Sequence, residues 1–208
     1  MKKLVVLLVV FAMAVIAVQA QAQPAEPYRL AFITLPVYTA EETDIAVYNQ
    51  WMQDEADAAG IGIGSGLGDG DTSWFVIGST ADISARDNTG TNPLVDGPGV
   101  PIYLTDMVTK VADDNIDLWD GDIDNIINTN APGNVTPGHL WAYSGSNIDG
   151  TIRIPGTNSN AGGPLGTQGE VTQGNGGVTN QWCFRIWTSD PYTTSLPLYA
   201  MSEIIPEP

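Results

Sequence analysis

Residues 29–60, RLAFITLPVYTAEETDIAVYNQWMQDEADAAG, decide how the chain is read. The stretch opens on Arg29 to Thr34, a compact apolar and β-branched run that reads as a strand. The period then changes. Ile45, Tyr48, Met52, Ala56 and Ala59 recur at three- and four-residue steps and form one helical stripe. Thr39 and Glu42 have capping-box spacing ahead of it, and Gly60 stands where a C-terminal cap belongs.

Further along the chain, strand candidates outnumber helices. Residues 73–79 (SWFVIGS), 101–105 (PIYLT), 139–143 (HLWAY), 182–187 (WCFRIW) and 196–202 (LPLYAMS) each carry an apolar or aromatic run, and residues 81–88 read as a short helical turn. The six glycines of residues 60–71 hold no lysine, so the stretch is no phosphate loop and reads as a surface loop. Residues 150–177 are rich in Gly, Asn and Thr and read as the longest irregular segment. Strands and helices are interspersed without a strand–helix rhythm, and there is no internal repeat. The expected fold class is α+β, a single domain with long loops.

The N-terminus reads as an export signal. Lys2 and Lys3 precede an unbroken apolar run from Leu4 to Val18, and small residues then alternate at Val18, Ala20 and Ala22. The run is short for a bilayer span and has the layout of a cleaved signal peptide. Residues 1–22 are therefore assigned to the signal and 23–27 to a spacer. Without them the chain has five basic residues against 24 acidic ones, a difference of −19. Such a surface repels nucleic acid and anionic lipid, which recruit proteins through Lys and Arg. No later apolar run is long enough to span a membrane, so none is expected in the mature chain. The single cysteine, Cys183, can form no intramolecular disulfide, and its Trp182–Phe184 setting reads as core.

A series of blocks runs in a recognisable order: a helix ending Ala58-Ala59-Gly60, a Trp strand, Ser79 to Asn88 (STADISARDN), Val100 to Tyr103, Lys110 to Asp114, Leu118 to Gly121 (LWDG), Leu140 to Gly145 (LWAYSG) and Leu198 to Glu203 (LYAMSE). This order resembles a family of exported bacterial proteins that carry the PEP-CTERM sorting signal. The domain of that family is similar to the endostatin-like variant of the C-type lectin fold. The likeness spans residues 28–204, and Pro206, Glu207 and Pro208 resemble the tripeptide that opens the sorting signal. The resemblance implies sorting to the cell surface by a membrane protease of the exosortase type; residues 205–208 would be the start of a truncated signal. Two family properties do not transfer. One cysteine excludes the disulfides of animal endostatin-like domains, and four widely spaced arginines do not make a heparin site.

Asp120, Asp122 and Asp124 alternate and are the candidate ligands for a hard cation such as calcium. Ala131 stands at the twelfth position where an EF-hand needs Glu, so the pattern is not an EF-hand. The competing reading is a solvated turn whose aspartates bond their own backbone. Asp82, Arg86 and Asp87 form a second constellation: Asp82 and Arg86 are four apart and would pair on a helical turn, with Arg86 fixing the loop to neighbouring carboxylates, and a clamp on a substrate carboxylate is the alternative. Catalysis has little support: a triad would have to use the lone His139, no G-x-S-x-G elbow occurs, and no His/Cys set suits zinc. Trp74, Trp119 and Trp141 sit among apolar neighbours and read as core. The expected protein is non-enzymatic and cofactor-free, sorted to the surface or exopolysaccharide matrix. A calcium-dependent carbohydrate-binding module is the alternative, with extracellular polysaccharide as partner, and an extracellular hydrolase comes third.

Overall fold

The computed structural model describes residues 23–67, 71–136, 141–155, 162–185 and 189–206. Its centre is β1 (Arg29–Ile33), buried at every position. This strand lies inside a five-stranded sheet whose other members are β2 (Trp74–Val76), β3 (Ile102–Leu104), β4 (Lys110–Ala112) and the last strand, β8 (Tyr199–Ser202), in the order β2-β8-β1-β3-β4. Only the β1–β3 pair is parallel. A second sheet joins β5 (Trp141–Tyr143), β6 (Glu170–Asn175) and β7 (Ser189–Pro191) in antiparallel order.

Alternation along the strands explains why β1 is apolar from Leu30 to Ile33. Leu30 and Phe32 face one cluster, where they meet Tyr48, Met52, Trp74 and Ala200. Ala31 and Ile33 face the other, with Ile77, Trp119, Trp182, Tyr199 and Met201. A strand covered on both faces has no polar side, so its side chains are apolar at both parities.

Helix α1 (Ile45–Ala58) covers the first face, and Ile45, Tyr48, Met52 and Ala56 are its buried stripe, as expected. Its start differs from the capping-box reading. Asp44 is the N-cap and accepts from the Ala46 N–H, so residues 39–43 precede the helix. Asp accepts this first-turn N–H as well as Thr does, and it sits directly before the stripe. Its end is as read: Gly60 takes φ +74°, its N–H donates to Asp57, and the Ile61 N–H reaches back to Ala56, the paired bonds of a Schellman motif.

Strand β2 lies at the sheet edge, and side chains of α1 satisfy its backbone. The Val76 N–H donates to Asn49 Oδ1 and the Trp74 N–H to Gln53 Oε1. Asn88 completes the clasp, donating to the Val76 carbonyl and pairing its amide with that of Asn49. An edge capped in this way offers no free ladder to another chain.

Helix α2 is the single turn Ala85–Asn88, with Ser84 as N-cap; α3 is Asn115–Leu118, capped by Asp114. Two expectations are overturned in the second half. Residues 150–177, read as irregular, contain β6, the longest of the eight strands among the described residues. Residues 182–185, read as the start of a strand, follow the 3-10 turn Thr179–Gln181 as bends and irregular chain. Trp182 gives the reason: its ring is fully buried and its carbonyl lies so close to Gly174 of β6 that a Cβ there would sit 1.8 Å away. Packing against β6, with a single backbone hydrogen bond from the Arg185 N–H to the Gln173 carbonyl at 3.2 Å and no ladder, sets this segment. The whole is mixed α/β, mostly sheet with few helices, as an α+β domain should be. Among the described residues, no helix is long and apolar enough to cross a membrane.

Candidate functional site

The Asp-rich stretch is mainly a set of caps and turns. Asp106 closes the β3–β4 hairpin, accepting from the Val108 and Thr109 N–H groups at 2.9 and 2.8 Å and from Thr109 Oγ1 at 2.6 Å. Partial burial pushes its carboxyl up, but these three donors together hold it below the usual range. Asp114 Oδ1 accepts from the Ile116 and Asp117 N–H groups at the start of α3. Leu118 and Trp119, set among these aspartates, are buried anchors, and Trp119 Nε1 donates to Thr91 Oγ1 at 2.9 Å.

The three predicted calcium ligands part company. Asp120 accepts from the Asp122 N–H at 3.1 Å, an Asx turn in solvent. Asp124 instead meets Asp113 and Asp117, with one carboxylate oxygen of each within 4.8 Å of the others. Sequence reading missed Asp113 and Asp117 as partners because α3 and the β4 strand bring them together. The group already has a cation: Lys110 Nζ bonds Asp113 and lies 3.8 Å from Asp124. A calcium ion would have to compete with that ammonium for the same oxygens. Adding a chelator during a thermal melt is therefore expected to leave the midpoint unchanged. A fall of several degrees would restore calcium as a structural ligand.

Asp82 and Arg86 do not pair. The helix begins at Ala85, so Asp82 lies before it and lines a separate hollow of about 240 Å³ with Thr43 and Asp44. Nor does Arg86 tie the loop to a carboxylate. Asp87 takes a 2.5 Å hydrogen bond from Ser84 Oγ and a 2.6 Å bond from Asn92 Nδ2. Those two neutral donors are the main reason its carboxyl is held below the usual range, with Arg86 the weakest contributor. Stability from this lowered group is present above the unfolded carboxyl's pKa and is lost as pH falls through the folded value.

Cys183 is fully buried, its Sγ 3.3 Å from the Asn147 carbonyl, and burial with nearby Asp149 pushes the thiol up. A thiol so placed is protonated and shielded, the opposite of a nucleophile. His139, the other residue a triad would need, lies outside the described residues, as do Glu207 and Pro208. Trp74 and Trp119 are core, whereas Trp141 is half-buried beneath the Arg185 guanidinium, 4.8 Å from its ring centre. Searches against models of protein families and against curated proteins gave no match.

Proposed function

We propose that the chain is a non-enzymatic exported protein, sorted to the cell surface or the exopolysaccharide matrix, with a C-type-lectin-like (endostatin-like) domain as its working part. The observation that carries this reading is where the C-terminal strand lies. β8 is held between β1 and β2, and three residues later Ile205 exchanges backbone hydrogen bonds with Tyr28 at 3.0 and 2.7 Å. Pro206 then stands exposed. Pro206 thus follows directly on the last bridge of the sheet, so processing beyond it would leave that sheet intact. A central strand transmits load into ladders on both sides, which suits a domain tethered by its end. The acidic surface keeps such a domain soluble and apart from other polyanions.

A second reading, a calcium-dependent carbohydrate-binding module, is favoured by the Asp113, Asp117 and Asp124 group. Retention of the protein on purified surface polysaccharide, in calcium and again in chelator, separates the two. Retention under both conditions is the expected result. Loss in chelator would favour the calcium reading, and no retention under either would remove the matrix from the proposal.

A further inference from the structure

The chain has four arginines, and Arg86 stands apart. Arg29 is buried and donates to the carbonyls of Ser202 and Gly90 at 2.7 and 3.0 Å. Arg185 covers Trp141, and Arg153 lies over Phe184 while donating from Nη1 to Asn147 Oδ1 at 3.0 Å. The Arg86 guanidinium makes no hydrogen bond or ion pair among the described residues, and its Nε is buried without a partner. It lines a groove of about 540 Å³ between α2 and residues 147–154.

In a chain this acidic, an arginine beside an aspartate would ordinarily pair with it. Asp87 lines the same groove, yet both its oxygens are occupied by Ser84 and Asn92. Behind this wall, Arg153 donates to Asn147, which itself lines the groove. Only 7% of Arg153 is exposed, and its Nε and Nη2 have no partner. Arg86 is half-buried at the groove wall with its Nε desolvated, and a desolvated guanidinium N–H left unpaired is costly. A carboxylate supplies the two parallel acceptors that a guanidinium edge matches.

We propose that this groove binds one carboxylate through Arg86 and that, resting on the matrix reading above, its carrier is a uronate unit within an otherwise neutral glycan. Asn147 and Thr151 offer polar contacts to sugar hydroxyls, and Ile152 and Ile154 an apolar surface for a ring face. The protein's negative field rejects a run of carboxylates, so the uronate stands alone among neutral sugars.

The test is isothermal titration of the whole protein with xylotriose bearing one glucuronate, and with plain xylotriose, at physiological ionic strength. The glucuronate form is expected to bind about tenfold tighter or more, and Arg86→Gln to abolish that preference. If Arg86→Gln no longer melts cooperatively, Thr151→Asp, which sets a carboxylate on the same groove, is expected to abolish it too. Equal binding of the two sugars, or a preference that survives the substitutions, overturns the site. Neither result touches the matrix reading, which polysaccharide retention decides separately; absence of any binding by wild type also overturns the site.

Discussion

Replacing Trp182 with Ala is expected to lower unfolding stability by about 3–5 kcal/mol, the range for removing a large aromatic from a packed core. The ring is fully buried, 5.5 Å from Trp119 and 5.9 Å from Tyr199, and fills the sheet face opposite α1 together with Ala31, Ile33 and Met201. Its Nε1 is buried without an acceptor. Trp182→Phe should therefore cost much less than Trp182→Ala, since it keeps a ring and removes the unsatisfied N–H. Urea unfolding followed by far-ultraviolet circular dichroism reads both. Equal losses for the two variants would mean that the ring does not organise this face.

Gly145→Ala is expected to cost about 3 kcal/mol or more, for two reasons that add. Gly145 takes φ +61°, a conformation that disfavours any Cβ by about 1–2 kcal/mol. The added Cβ would also lie 2.4 Å from the Ser79 carbonyl oxygen, 2.6 Å from the Leu165 nitrogen and 2.9 Å from the Pro164 Cα. All three are backbone, so no rotamer change relieves the clash. The crossing is tightly bonded as well: the Ser79 N–H donates to Ser144, the Leu165 N–H to Ser79, and the hydroxyls of Ser79 and Ser146 lie 2.8 Å apart. Gly97→Ala is the comparison, because φ there is +73° with nothing within 4 Å of the new Cβ. It should show the backbone cost alone. If both variants lose the same stability, the close approach at Gly145 is not what requires glycine.

Several features were legible because they are local. The α1 stripe, Gly60 and the apolar run Leu30–Ile33 of β1 announce themselves by period and cap chemistry, and a buried Cys183 follows from its neighbours. The helix start differs because Thr39 with Glu42 mimics a capping box, while Asp44, directly before Ile45, is the residue that caps. β6 was hidden because Gln173, Gly174 and Asn175 look like a loop by composition. Its order comes from β5 and β7, which lie on either side, and tertiary pairing overrides weak β-propensity. Asn49, Gln53 and Asn88 look like ordinary polar surface until β2 is placed against them. The same holds for the sites. Alternating aspartates suggested one ligand set, yet the fold turns Asp120 to its own backbone and sends Asp124 to Asp113 and Asp117 across α3. Arg86 stands out in the sequence as one of few cations, but its lack of a carboxylate partner depends on Ser84 and Asn92 bonding Asp87, which only the fold brings about.

Export underlies the whole functional reading, and intact-mass analysis of the protein recovered outside cells producing residues 1–208 decides it. An extracellular species beginning at Gln21 or Gln23, cut after Ala20 or Ala22, is the expected result. A protein found only inside the cell with Met1 to Ala22 still attached would contradict it, and with it the surface and matrix assignment.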